Sequence, residues 1–499
     1  MSQGQTEFEI KLVFPFEKFA AIQSLIIAKG GLRRQHLQAV YIDTADFLLS
    51  QAGLALRLRK EGRQWVQTLK ARGAHELERL EHNVVLAHRG SGIPQWDISL
   101  HQTHLAGVAL KKILDDHPSA VLQVLYETDI WRRSIKINTR QAEIEYALDQ
   151  GVIRTTSSTG HILELPVMEL EIELLKGDPL VVLEHAQMMV SRFKATIDTR
   201  SKAQRGTQLA QGLTRSPIVK SKPVSLKGKR EGAQLAALIN SCLSQVLSNS
   251  SEINLGLDHY DEYIHQLRIG LRRLRVLLKF LNLEHIALEA KDHQTLLKIF
   301  SALGIYRDSN FLKAKLLPRL VLASAPDFEW NDQFDLKHPA IYIKDSQFQK
   351  LLLSVMKIAL LVERSDTIEE GFQLRVFSYL KTIYRDSRKI AKKFENVEDI
   401  KRHDLRKNLK KLRYLLEFFK DFYAPSKYKS YNKALGCILE DLGSYNDLCV
   451  AIDQVQELLE RDPKFWFVIG WLRSEKFHVE QRVKLSLDQF LKLGFIQSL

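Results

Sequence analysis

Glu7, Glu9 and Lys11 stand at alternate positions in the run Glu7-Phe8-Glu9-Ile10-Lys11-Leu12. On an extended chain this spacing gathers the three charges on one face and the apolar residues on the other. The same alternation joins Arg57 with Arg59, and joins Glu169, Glu171 and Glu173. Gln67-Thr68-Leu69-Lys70 and Arg79-Leu80-Glu81 add to the set. Carboxylates suit hard divalent cations, which take oxygen ligands. Guanidinium and ammonium groups suit phosphate oxygens, arginine often in bidentate fashion. Three glutamates on one strand face repel one another unless a cation sits among them. For any single strand, a solvated outer sheet face is the plain alternative. A closed antiparallel barrel with these faces turned inward would enclose both sets in a polar lumen. Such a lumen fits a metal-complexed polyphosphate.

A second constellation is written twice. Residues 265–275 read HQLRIGLRRLR and residues 403–413 read HDLRKNLKKLR. Each is followed by a related element, Leu303-Gly304-Ile305-Tyr306-Arg307-Asp308 and Leu442-Gly443-Ser444-Tyr445-Asn446-Asp447. On a helix at about 100° per residue, His265, Arg268, Arg272 and Arg275 share one arc. Leu267, Leu271, Leu274 and Leu278 lie opposite. The second copy places His403, Arg406, Lys410 and Arg413 on one arc, with Leu405, Leu409, Leu412 and Leu416 opposite. The leucines read as core. Exposed helix faces ordinarily mix signs, because like charges one turn apart repel. An unmixed basic stripe repeated in two copies therefore points to a polyanion. Histidine at the head of each stripe could donate to phosphate, more strongly as pH falls.

The elements that must carry these groups divide the chain in two. At 499 residues it is long for one core, so two or more domains are expected. Up to residue 212 the chain is rich in short period-two segments that read as strands. The stretch 213–229, with Pro217 and Pro223, reads as a linker. From 230 to 499 leucines recur at helical spacing, and two half-domains of about 230–365 and 366–490 are expected. Net charge divides unequally. Residues 1–212 hold 26 Lys+Arg against 24 Asp+Glu, and residues 213–499 hold 47 against 35. The basic excess of the second half suits nucleic acid, an anionic surface or polyphosphate. Cys242, Cys437 and Cys449 are scattered without metal-ligand spacing, which fits a reducing compartment. Neither a signal peptide nor a membrane-spanning run is expected, so no membrane partner is assigned.

At the charged strands the chain resembles the CYTH (triphosphate tunnel metalloenzyme) superfamily. The resemblance rests on Glu7-x-Glu9-x-Lys11, followed in order by Val40-Tyr41-Ile42-Asp43-Thr44, Ala55-Leu56-Arg57-Leu58-Arg59, Trp65 through Lys70, and Arg79-x-Glu81. Thr128-Asp129-Ile130-Trp131-Arg132, Glu143-x-Glu145 with Asp149-Gln150-Gly151, the strand Glu169 to Glu173, and Ser201-Lys202 complete it. It implies an α+β domain over residues 1–212, an eight-stranded antiparallel tunnel with flanking helices. It also implies Mg²⁺- or Mn²⁺-dependent activity on a triphosphate. Carried over by position, Lys11, Arg57, Arg59, Lys70, Arg79, Arg132 and Lys202 would bind phosphate. Glu7, Glu9, Glu145, Glu169, Glu171 and Glu173 would bind metal, with Glu7, Glu9 and Lys11 as the catalytic group. Asn83 departs from the pattern where many members carry a further charge.

The helical half resembles the CHAD domain, a family often fused to CYTH domains and associated with inorganic polyphosphate. With that resemblance the polyphosphate-binding candidates are His265, Arg268, Arg272, Arg273, Arg275, Arg307, His403, Arg406, Lys410, Lys411 and Arg413. The expected function is hydrolysis of inorganic triphosphate in the cytoplasm, with association with polyphosphate granules. A nucleotide or thiamine triphosphate, in a triphosphatase or cyclase, is the enzymatic alternative, and a non-catalytic polyphosphate scaffold the other. Base-directed nucleic-acid binding is disfavoured, because the stripes lack interleaved aromatics.

Overall fold

The computed structural model describes residues 5–73, 78–88, 90, 92–157, 159–282, 286–311, 315–327, 337–365, 371–456, 458–460 and 462–496. Among the described residues, nine strands form the N-terminal sheet: β1 (Gln5–Val13), β2 (Arg33–Thr44), β3 (Leu54–Glu61), β4 (Gln64–Arg72), β5 (Glu78–Leu86), β6 (Leu122–Asn138), β7 (Ala142–Thr156), β8 (Ile162–Gly177) and β9 (Thr196–Ile197). Their order is β5-β4-β3-β2-β6-β7-β8-β1-β9, all pairs are antiparallel, and β1 also pairs with β5. That last pairing closes eight strands into a barrel. The expected strand count of eight is thus corrected to nine. The extra strand is two residues long and pairs with β1 at Leu12 and Val13, beyond the part of β1 that meets β5. A ribbon so short carries no alternation that a sequence pattern could reveal.

Register propagates one face around the whole barrel. Residues directly opposite in an antiparallel pair point to the same side. Glu9 faces Glu173, which faces Glu145, which faces Lys136. Lys11 faces Glu171, Glu169 faces Asp149, and Asp149 faces Arg132. Arg57 faces Tyr41, and Lys70 faces Glu81. The charges therefore line the inside. The intervening apolar residues pack outward, Phe8, Ile10, Leu12, Leu170 and Ile172 into one cluster and Val40, Leu54, Leu56, Leu58 and Leu69 into another. The β3–β4 hairpin turns through Gly62 and Arg63, and Gly62 takes a φ of +64° that a two-residue loop of this kind requires.

Helices α1 (Phe19–Ala28), α2 (Leu48–Gln51), α3 (Leu105–Asp116), α4 (Leu180–Phe193) and α5 (Lys202–Ala210) flank or close the barrel. Ala203, Leu209 and Ala210 of α5 pack against Leu37, Ala39, Tyr41, Tyr126, Ile130, Ile153 and Val167. Through register these belong to the inner face, so α5 fills one end of the barrel with apolar contact.

The second half is all helix: α6 (Glu231–Asn254), α7 (Asp261–Leu281), α8 (Ala290–Phe311), α9 (Leu317–Leu322), α10 (Ala340–Ile343), α11 (Ser346–Arg364), α12 (Phe372–Ala391), α13 (Asp399–Phe418), α14 (Pro425–Gln456) and α15 (Phe465–Leu493). The repeated motifs occupy α7 and α13, and their leucine stripes are buried. No described helix is long and apolar enough to cross a membrane. Residues 213–230 form no helix or strand yet are held on the helical half. Leu226 is buried, its N–H donates to Asp421, and Arg215 donates to the Leu257 and His259 carbonyls. One apolar cluster runs from β1, β8 and α4 into α6, α7 and α11, so the two halves share a core.

Candidate active site

The inner face carries charges that satisfy one another. Lys70 Nζ lies 2.7 Å from Glu7 Oε2 and 2.6 Å from Glu81 Oε2. Arg57 approaches the other Glu81 oxygen at 3.8 Å. Arg132 grips Asp149 with two donors, at 2.7 and 2.6 Å, and also meets Glu171. Lys202, the first residue of α5, reaches Asp149 at 2.7 Å and Glu171 at 2.8 Å and pairs with Glu169. Arg205, one turn further along α5, takes the second Glu169 oxygen. Arg59 turns to Glu61, donating from Nε at 2.7 Å. Lys11 Nζ donates to the Arg200 carbonyl at 3.0 Å.

The balance of burial and neighbours sets the protonation of each group. Burial pushes the Glu7 carboxyl up to about 8, with Glu9 and Glu81 adding to the rise and Lys70 opposing it. Glu81 goes the other way: burial alone would raise it, but Lys70 and Arg57 together hold it well below the ordinary range. Burial pushes Glu173 up to about 7, reinforced by Glu9, Glu145 and Glu171. Glu171 is held well below the usual value, Lys202, Arg132 and Lys11 outweighing burial. Lys70 and Lys202 are raised despite burial by the carboxylates around them. Tyr41 is fully inside, and the Arg57 guanidinium lowers its hydroxyl against the effect of burial.

Two acidic groups differ in their fitness for a cation. Asp149, Glu169 and Glu171 each bring an oxygen within 4.8 Å of the others, so the acidic cluster has the geometry to hold one. Lys202 Nζ already stands on all three oxygens, however, and supplies the positive charge they need. Glu9, Glu173 and Glu145 are successive cross-strand neighbours on β1, β8 and β7. Burial raises the Glu173 carboxyl first, and its neighbours Glu9 and Glu145 add to the rise while Lys70 opposes it. A hard divalent ion would offset that rise, and oxygen donors are the ones it takes.

Most of the sequence candidates are therefore brought together. Glu7, Glu9, Lys11, Arg57, Arg59, Lys70, Arg132, Glu145, Glu169, Glu171, Glu173 and Lys202 belong to one lumen. The Arg79 side chain lies outside the described residues. Asp149, Glu81 and Arg205 were missed as site residues. Asp149 was open to detection, since it stands four residues after Glu145 on the same strand face. Arg205 gave no such signal, because it enters the lumen from a helix.

The helical candidates divide. The Arg268, Arg272 and Arg275 guanidinium groups surround the Phe300 ring of α8, 4.7, 5.3 and 4.8 Å from its centroid. Arg268 also donates to the Phe300 carbonyl at 2.7 Å. A Cβ on Gly304 would come within 3.1 Å of Arg268, and one on Gly443 within 3.7 Å of Arg406. The glycine of each Leu-Gly element thus leaves room for the arginine of its own repeat, and Arg268 and Arg406 are buried alike. His403 bonds Asn446, while His265 and His403 head their stripes in exposed positions. Lys410 and Arg413 are half-buried on the α13 stripe. Arg273 stands off the α7 stripe. It is 2% exposed, pairs with Glu417 of α13 at 3.1 Å and packs over Phe418, so its charge is spent between the repeats. Lys411, its counterpart, lies 4.4 Å from the Tyr379 ring centroid, and burial with nearby Lys279 pushes its ammonium down to about 8. The Arg307 side chain lies outside the described residues.

A charge-lined antiparallel barrel followed by a duplicated helical bundle with basic stripes defines a two-domain class, and family models agree. Residues 5–206 match the CYTH domain and residues 237–456 the CHAD domain, so the chain is a CYTH domain followed by a CHAD domain. It is 27% identical over 172 residues to an inorganic triphosphatase of Haemophilus influenzae, a match covering 33% of this chain and 44% of that protein. The alignment thus spans under half the length of this curated relative. Among solved structures, the CHAD domain from the plant Ricinus communis is 22% identical, with a TM-score of 0.47 over 57% of this chain and 99% of that one. HpAC1 from Hippeastrum, described as having a dominant triphosphatase activity, is 17% identical, with a TM-score of 0.27 over 42% of this chain and 96% of that one.

Proposed function

We propose that the protein hydrolyses inorganic triphosphate to diphosphate and phosphate inside the barrel, with Mg²⁺ or Mn²⁺, in the cytoplasm, and binds inorganic polyphosphate through its helical half. One observation carries the reading: on a single enclosed face, lysines and arginines are paired with carboxylates in a network that a metal-complexed triphosphate could replace. Phosphate oxygens would take over the cations, and the ion would take over carboxylates. Each partner would keep a counter-charge throughout, which a buried network demands.

The residues then divide the work. Lys11, Arg57, Arg59, Lys70, Arg132 and Lys202 hold the phosphate chain along the lumen and offset the charge that develops on the leaving diphosphate. Glu9, Glu145 and Glu173, with Glu7 beside them, would hold the ion. When bound, the ion would neutralise phosphate oxygens and help present the attacking water. Glu7 sits at the edge of this group, paired with Lys70 at 2.7 Å, and so links the ion to the phosphate-holding cations. The apolar plug formed by α5 favours a substrate with nothing hanging from that end. In the helical half, the Phe300 ring lies beneath arginines, so it braces them and is not offered to a base.

The test is phosphate release from inorganic triphosphate, ATP, thiamine triphosphate and long polyphosphate, with Mg²⁺, Mn²⁺ or chelator present. Metal-dependent release fastest from inorganic triphosphate is expected. Faster release from ATP or thiamine triphosphate would overturn the substrate, and no release from any would leave the scaffold reading. For the helical half, stronger binding of single-stranded RNA than of polyphosphate at physiological salt would overturn the assignment.

A further inference from the structure

β9 and the residues after it form a ribbon between the two domains, and its N–H groups point alternately to each side. Asp198 N donates to the Lys11 carbonyl at 3.0 Å, and Arg200 N to the Asp198 carboxylate at 2.9 Å. Ile197 N instead donates to Gln349 Oε1 of α11 at 2.9 Å, and Thr199 N to Ser251 Oγ of α6 at 3.1 Å. Asn254 donates to Thr196 Oγ1 at 2.9 Å, and Glu252 stands 3.9 Å from Arg200. One edge of the ribbon is thus held by the tunnel and the other by side chains of the helical domain.

Those helical side chains are costly where they stand. Gln349, Ser251 and Glu252 are each 1% exposed, in helices whose other buried residues are mostly apolar. Buried polar groups require partners: Gln349 and Ser251 donate to the Ile343 and Leu247 carbonyls of their own domain and accept from the ribbon N–H groups, while Glu252 accepts from Ser216. The ribbon in turn holds Lys11 at two points. It takes the Lys11 carbonyl through Asp198 N and the Lys11 ammonium through the Arg200 carbonyl, 3.0 Å away. The Asp198 carboxylate fixes that carbonyl by binding the Arg200 guanidinium at 2.6 and 3.0 Å.

We propose that the helical domain is a working part of the tunnel, with Gln349 and Ser251 acting as positioning residues that hold the 196–200 ribbon and, through it, aim Lys11 at the substrate phosphates. The inference rests on the triphosphatase reading for its kinetic arm only. In the full chain, Gln349→Leu and the milder Ser251→Ala each leave one ribbon N–H without its acceptor. The Lys11 amine then becomes freer. Acetylation with a limiting water-soluble ester, read by peptide mass, should label Lys11 about fivefold faster, with Lys70 and Lys202 unchanged. Unchanged Lys11 labelling, or equal acceleration at all three lysines, would overturn the proposal. With triphosphate as substrate, KM should rise and kcat fall together, lowering kcat/KM by about fivefold or more. In the Lys11→Met background the same two changes should have no further effect on KM; additive losses would show that they act by general loosening. A wild-type chain that turns over no triphosphate would sink the proposed function, while the labelling result would still decide the positioning role.

Discussion

Lys202 Nζ lies 2.7 Å from Asp149 Oδ2, so an ammonium from the start of α5 occupies the point where three strand carboxylates converge. The helix that plugs the barrel thereby also neutralises its most acidic wall. Glu169 and Asp149 are fully buried, and their charge is tolerable only because Lys202, Arg205 and Arg132 meet it.

Lys202→Met removes that counter-charge. It should destabilise the metal-free protein by about 3 kcal/mol or more, as breaking a buried pair does. Millimolar Mg²⁺ should restore part of the loss by binding the freed carboxylates. Denaturant unfolding with and without Mg²⁺ reads both effects, and a variant indifferent to the ion would show that this wall does not accept one.

Glu9→Gln and Glu173→Gln keep shape while removing a carboxylate oxygen from the row of cross-strand glutamates on β1, β8 and β7. Each should reduce metal-dependent triphosphate turnover by about 100-fold or more, with near-ultraviolet circular dichroism unchanged. Glu7→Gln should fall with them. Full activity in Glu7→Gln and Glu9→Gln together would remove the metal assignment.

His101 supplies a pH dependence separate from the tunnel. It is fully buried, contacts Gln67 at 3.0 Å and His82 at 2.8 Å, and burial followed by repulsion from His82 and His104 pushes its pKa down to about 4. The unfolded chain takes up this proton first, near pH 6.5, and the folded chain only near 4. The stability His101 retains is therefore complete above about pH 6.5 and is lost as pH falls toward 4, by up to about 3 kcal/mol. His101→Gln should flatten that part of the stability–pH curve relative to wild type. Parallel curves for the two proteins would refute the assignment.

Arg273 and Arg272 are adjacent in sequence and should behave oppositely. Arg273→Met breaks the link to Glu417 between the repeats and should cost about 3 kcal/mol, leaving the salt slope of polyphosphate binding unchanged. Arg272→Met should leave the melting temperature nearly unchanged and reduce the magnitude of that slope by about one. Isothermal titration at several salt concentrations, beside thermal melts, separates the two.

Alternation and helical periodicity carried much of this in plain view. The faces of β1, β3, β4 and β8, the buried leucine stripes of α7 and α13, and the duplicated motif all follow from local spacing, because side-chain direction repeats every two residues in a strand and about every 3.6 in a helix. Local spacing left Arg273 off the basic arc, and only the family resemblance put it among the polyphosphate candidates; the same spacing gave β9 no signal. The prolines and lysines of residues 213–229 say nothing of Leu226, which is buried in the cluster shared with the helical half.

By itself the sequence determined which charges share a strand or helix face, because that is a property of neighbours along one chain. Only the tertiary structure decided which charge meets which. Lys202 on Asp149, Arg205 on Glu169 and Gln349 on the ribbon beside Lys11 each join residues more than 30 positions apart. Such pairings depend on barrel register and on how α5 and α11 dock. They are set by closing a sheet and packing a core, and no local pattern records them.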